Sequence, residues 1–108
     1  MAITASTPHL DAWISPRFGR SPYIVFVDTE TMEAEVVRNP DAERATGAGV
    51  GTAQLVVQKG AEVVITGNVG PNAMRVLSEA GVKVITGITG KVREAVEKFK
   101  AGTLPIQY

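Results

Sequence analysis

Two kinds of hydrophobic repeat organise the chain. Residues 23–28 (YIVFVD) form an unbroken run of aromatic and β-branched side chains, the pattern of a buried strand. Residues 32–38 (MEAEVVR) alternate instead. Met32, Ala34 and Val36 fall on one face and Glu33 and Glu35 on the other, which predicts a half-exposed strand paired with its predecessor as a hairpin. Asp28 to Thr31 reads as the turn between them. Residues 2–7 predict a short first strand, and residues 62–66 (EVVIT) and 82–86 (VKVIT) predict two more. Helical spacing separates these last strands. Ala73, Val76, Leu77 and Ala80 recur at i, i+3, i+4 and i+7, and Val92, Ala95, Val96 and Phe99 repeat that spacing. Gly81 and Gly102 stand where helices stop.

A further helix follows the chain break at Asn39-Pro40-Asp41. Its pattern runs from about residue 42 to residue 59, with the regular part starting near Gly49, because Gly47, Gly49 and Gly51 weaken a helix. Gly49, Thr52, Ala53 and Val56 share a face of mostly small side chains, which predicts close packing on a sheet. Gly60 is its natural stop. There is also an internal echo: Val64-Ile65-Thr66-Gly67-x-x-Gly70 matches Val84-Ile85-Thr86-Gly87-x-x-Gly90. Each copy is a strand, a glycine turn and a helix start, and such units imply parallel strands with right-handed crossovers. The order β-β-β-α-β-α-β-α predicts an α/β fold. We expect a five-stranded mixed sheet in the order 3-2-1-4-5, strand 2 antiparallel, with three helices on its faces, as in ribonuclease H-like folds.

Length and charge narrow the class. The chain has 108 residues, expected to form a single domain over 1–108, and its 44% hydrophobic content can build a real core. Eleven basic and eleven acidic residues cancel, so nothing draws the chain to a nucleic-acid backbone. There is no cysteine, which removes disulfides, thiolate catalysis and the usual anchor of iron–sulfur clusters. Residues 1–7 are too short and polar for a signal peptide. No apolar run approaches the roughly 20 residues that span a bilayer. These features lead us to expect a soluble, cytoplasmic protein.

Candidate chemistry lies in the connections. The stretch from Pro8 to Pro22 is far longer than a hairpin needs, and loops beyond about a dozen residues are usually functional or disordered. It holds His9, Asp11, Trp13, Arg17, Phe18, Gly19 and Arg20, and its aromatic residues argue against disorder. Three glycine-rich turns, with Gly47 and Gly49, Gly67 and Gly70, and Gly87, would cluster where strands 1, 3, 4 and 5 end. Ligands of open α/β sheets bind at that edge, and helix N-termini there favour anions. Gly70-Pro71 suits a helix start. Asn68 and Asn72 offer side-chain donors. Arg17 and Arg20 offer guanidinium forks for carboxylate or phosphate. A plainer account also fits: tight turns need glycine, and the loop is a surface segment pinned by Trp13 and Phe18. His9 is the lone imidazole, a candidate metal ligand or an ordinary exposed residue. The phosphate-binding GxxxxGK[ST] pattern is absent. Glu33, Glu35, Glu43, Glu62, Glu94 and Glu97 read as solvated charge.

Ser15-Pro16-Arg17-Phe18-Gly19-Arg20-Ser21-Pro22-Tyr23 closely resembles the signature loop of the dinitrogenase iron-molybdenum cofactor biosynthesis family. Thr46-Gly47-Ala48-Gly49 before a helix is similar to a second family segment. Val64 to Ala73, with Leu77 and Ala80-Gly81-Val82-Lys83-Val84, is similar to a third. The resemblance runs from about Ile3 to Leu104. It implies a ribonuclease H-like fold and a non-enzymatic role: carrying or protecting iron-molybdenum cofactor, or its iron–sulfur precursor, during nitrogenase maturation. The implied partners are nitrogenase-maturation or other metal-cluster proteins. Many members have a histidine before the FGR triplet, where this chain has Arg17, so a ligand implied by the family is replaced, and His9 lies in the same loop. Two other readings compete. One is an interaction module, or a small-anion or nucleotide binder, with no nitrogenase role. The other is a ribonuclease H-like nuclease, disfavoured because the first strand carries no acid for a paired-metal site.

Overall fold

The computed structural model describes residues 1–102; residues 103–108, the end of the expected domain, lie outside the described residues, as does Leu104 at the end of the family-like span. The first strand, β1 (Ala2–Ala5), takes the middle of the sheet because all four of its residues are small or aliphatic enough to be buried. It pairs antiparallel with β2 (Tyr23–Val27) and parallel with β4 (Val63–Ile65). β3 (Ala34–Arg38) lies antiparallel on the outer side of β2, and β5 (Lys83–Ile85) runs parallel to β4. The order is β3-β2-β1-β4-β5, the expected mixed sheet with strand 2 antiparallel.

Alternation along each strand sorts the core into two layers. Ala2, Ile24, Val64 and Val84 face α1 (Ala48–Gln58) and α2 (Pro71–Glu79), where Ala53, Val56, Ala73 and Leu77 meet them. Ile3, Val25, Ile65 and Ile85 face α3 (Val92–Lys100), which contributes Val92 and Ala95. One helix cannot cover that second face, since a helix is roughly 10–12 Å wide and five strands span about 20 Å. Ala12 and Ile14, both buried, fill the remainder. The long loop is therefore half of a layer. No helix among the described residues is long and apolar enough to cross a membrane.

Some boundaries differ from the sequence reading. β4 and β5 each lose a residue at both ends of their expected spans. Met32 is outside β3, with φ at 64°, in a wider turn built by Asp28. The Asp28 carboxylate accepts the N–H groups of Glu30 (2.8 Å) and Thr31 (3.1 Å), while the Asp28 carbonyl accepts that of Met32 (2.7 Å). Met32 then packs on the α3-side core. Ala34 and Val36 are exposed, because β3 is an edge strand; Val37, half-buried opposite Ile24, is its inward residue. Ala80 is exposed as the residue ending α2. The small-residue face of α1 is used against a turn and another helix as well as the sheet, as described below.

Candidate anion-binding site

The long loop divides into two halves that serve opposite faces of the sheet. Its first half fastens to the start of α3. The Val92 N–H donates to Ala12 O and the Arg93 N–H to Leu10 O, both at 2.9 Å, and Ile14 N–H donates to Gly90 O at 2.8 Å. The Lys91 N–H donates to the Glu94 carboxylate at 2.9 Å. The first amides of α3 are thus already satisfied. Arg93 pairs with Asp11 at 2.8 Å, and its guanidinium holds the Asp11 carboxyl below the usual range. Trp13, 62% exposed, lies beneath the Lys91 ammonium, 5.5 Å from ring centre. His9 is exposed in this half. Among the described residues no three His, Cys, Asp or Glu side chains gather where a metal ion could be held, and Asp11, in the same half of the loop as His9, is paired with Arg93.

The second half crosses to the α1–α2 face. Buried hydroxyls anchor it: Thr4 Oγ1 donates to Ser15 O (2.9 Å) and meets the Thr66 hydroxyl (2.8 Å). Ser21 Oγ bonds the Ala5 N–H and carbonyl, each at 3.1 Å. Arg17 forms a bridge with Asn68, and the Phe18 N–H donates to Asn68 O at 3.0 Å. Phe18, 1% exposed, plugs the core between α1 and α2. The FGR triplet itself is a single 3-10 turn, Phe18–Arg20. Two glycines make the approach possible. A Cβ on Gly19 would lie 2.7 Å from the Gly49 backbone, and one on Gly67 would lie 2.5 Å from Pro16 O. The first contact explains the small face of α1: Gly49 admits Gly19 on one side and the Ala73 Cβ on the other, 3.3 Å from where its own Cβ would stand.

Contacts join several of the expected site residues at one edge of the sheet. The Gly87 N–H donates to Gly67 O at 2.8 Å, Gly67 packs on Pro16, Arg17 and Phe18 join Asn68, and Gly19 touches Gly49. The three helix starts at this edge are unequal, however. Sequence reasoning gave all three free amides, and the loop has filled that of α3. The starts of α1, after Gly47, and of α2, after Gly70, receive no side-chain cap. Asn68, Gly70 and Asn72 are exposed around the start of α2, and Arg17 is exposed beside it. Arg20 is engaged elsewhere. Its Nη1 donates to the carbonyls of Ala42 (3.1 Å) and Arg44 (2.6 Å).

Two residues of the 39–46 connection belong here and carry no sequence signal. Asn39, 4% exposed, donates through Nδ2 to Ser21 O and Thr52 Oγ1, both at 2.9 Å, joining the loop to α1. Arg44 Nη2 lies 3.8 Å from where a Cβ on Gly47 would stand, at the start of α1, and Arg44 pairs with Asp41 at 3.2 Å. In sequence, Asn39 reads as a turn former and Arg44 as one more surface charge. A hollow of about 700 Å³ lies at the other end of the strands, among Phe26, Asp28, Glu33, Glu35, Lys59 and Glu62. Its carboxylates repel an anion, so volume does not select it.

The profile of the dinitrogenase iron-molybdenum cofactor family matches residues 1–102. The chain belongs to that family. Among solved structures it resembles the apo form of the orange protein from Desulfovibrio gigas, at 42% identity and a TM-score of 0.94, covering 98% of this chain and 90% of that one. A candidate NifB protein from Thermotoga is 41% identical with a TM-score of 0.83, over 95% of this chain and 88% of the other. An uncharacterised Methanocaldococcus jannaschii protein is 30% identical over 94 residues, 84% of this chain and 80% of its own. The ribonuclease H-like arrangement of sheet and helices is the one this family uses. With no cysteine in the chain, a cluster here has no thiolate to bind. The groups at hand suit an anion held through N–H donors and guanidinium charge.

Proposed function

We propose that this protein is a non-enzymatic carrier of an anionic iron-molybdenum or iron–sulfur cofactor, or its precursor. The observation that carries the reading is the pair of helix starts that lack a side-chain cap, α1 and α2, packed together at Gly49 and Ala73, with Arg17 exposed beside α2. Aligned amides and two helix dipoles at one place favour a bound negative charge. In this reading His9 takes no direct part, Gly47, Gly70 and Asn72 flank the bound anion, and Gly49, Gly67 and Gly87 hold the turns beneath it in place. Non-covalent holding suits a protein that must hand its cargo to nitrogenase-maturation or other metal-cluster proteins in the cytoplasm.

Anaerobic titration with isolated iron-molybdenum cofactor tests it. The expected result is saturable uptake, with molybdenum and iron retained through gel filtration. Uptake no greater than by an unrelated acidic protein defeats the carrier reading. One observation favours a second reading, an anion or nucleotide binder without a nitrogenase role: the chain lacks any thiolate to grip a cluster. Titration with inorganic phosphate and with ATP separates the two.

A further inference from the structure

The sequence puts two arginines forward to meet the ligand, Arg17 and Arg20, which bracket Phe18 and Gly19 of the family-like triplet. The coordinates divide the labour differently. Arg20 Nη1 is shared between two main-chain carbonyls, Ala42 O and Arg44 O, at 3.1 and 2.6 Å. These bonds fix the course of the 42–44 segment. That segment in turn carries the Arg44 guanidinium to the start of α1, 3.8 Å from the Cβ direction of Gly47. Gly47 has no side chain to compete for the amides it precedes. The Arg44 side chain is 56% exposed, so it is open to a ligand arriving from solvent. Among the described residues its side chain pairs with the carboxylate of Asp41, which also packs against Gly51 in the first turn of α1.

We propose that Arg44, rather than Arg20, meets the negative charge of the cargo, that Arg20 is the positioning residue behind it, and that Asp41 holds Arg44 until cargo displaces it. This rests on the carrier reading above and adds a second side-chain charge, at the start of α1, to that of Arg17 beside α2. Arg44 and the α1 amides then act on the same anion from adjacent positions, where a guanidinium fork and a helix start reinforce one another. An exposed, ion-paired arginine can change partners without rebuilding the fold. A carboxylate competing for it weakens cargo binding and makes release easier.

The test is anaerobic titration of the full chain with isolated iron-molybdenum cofactor. Arg44→Ala is expected to bind about tenfold more weakly, the scale of one charge-assisted hydrogen bond. Arg44→Lys keeps the charge without the fork and is expected to lose about threefold. Asp41→Asn frees Arg44 and is expected to bind about threefold tighter. Arg20→Ala reproduces the Arg44→Ala loss, and the double variant is no weaker than either single one, because the two residues act in series. The gap between wild type and Arg44→Ala closes as salt rises from about 0.05 to about 0.5 M, which a purely structural role would not produce. Wild-type affinity in Arg44→Ala overturns the assignment alone. So do additive losses in the double variant, which would make both arginines direct contacts. Failure of the wild type to bind removes the carrier reading together with this one.

Discussion

Substituting alanine for Gly19 puts one methyl group into the tightest backbone approach at the candidate site. The added Cβ would lie 2.7 Å from both Gly49 Cα and Gly49 N, and 3.2 Å from Ala48 C. Carbon atoms settle at about 3.5–4.0 Å, so the 3-10 turn and α1 must part by about 0.8 Å or more. None of the three obstructing atoms is the end of a flexible side chain. Relief must come from moving backbone that Phe18 plugs on one side and Ser21 and Asn39 bolt on the other. Overpacking of this kind costs about 1–3 kcal/mol, and the rigidity of the surroundings places Gly19→Ala at about 2–3 kcal/mol. For a chain of this size that is a fall in Tm of about 8 °C or more. Urea denaturation followed by far-UV circular dichroism gives the free energy directly. Two controls sharpen the result. At Gly49 the nearest obstacle is the Ala73 methyl at 3.3 Å, so α2 must yield by a few tenths of an ångström, and the gain in helix propensity offsets part of that, so Gly49→Ala should cost clearly less than Gly19→Ala. Gly70 has φ at −69° and nothing within 4 Å of its Cβ position, so Gly70→Ala should cost no more than about 0.5 kcal/mol. If Gly19→Ala melts with the wild type, or all three variants lose the same amount, the close approach of turn to helix is not what demands glycine.

Further consequences can be measured on the same footing. Gly67→Ala should cost about 1–3 kcal/mol by pushing its methyl into Pro16, and amide exchange at Phe18 should quicken as its bond to Asn68 loosens. Thr4→Val removes the hydroxyl shared by Ser15 O and Thr66; about 2 kcal/mol should be lost in denaturant titration, and Thr4→Ser should recover most of it. Two main-chain N–H groups hold the Asp28 carboxyl below its ordinary pKa. Its contribution to stability is therefore present above the unfolded value of about 3.9 and lost as pH falls through the folded value. Melting profiles of wild type should drop in that acid window, and Asp28→Ala should be flatter there; parallel profiles would count against the turn.

The layout of the sheet was legible because hydrophobic period is a local property. The unbroken YIVFV run, the echo of VITG in two places and the i, i+4 stripes of α2 and α3 each state how many faces an element buries, and those counts leave one economical topology. The FGR triplet was legible through its resemblance to the family's signature loop, and at Gly19 and Gly67 the reason for glycine is a backbone approach too close for a Cβ. Met32 misled because two-residue alternation continues by chance into a turn whose shape depends on the Asp28 carboxylate. The loop's dual role, and with it the filling of the α3 amides, depended on how much of one sheet face a single helix leaves bare. Arg20 and Arg44 look alike in the sequence, each an arginine in a polar connection; Arg20 finds main-chain carbonyls 22 and 24 positions away while Arg44 pairs with Asp41 three positions before it, and only folding chooses between these fates. Patterning along the chain determined what must be buried, while the competition for each exposed N–H, carbonyl and charge was settled by which groups the packed layers happened to bring within hydrogen-bond reach.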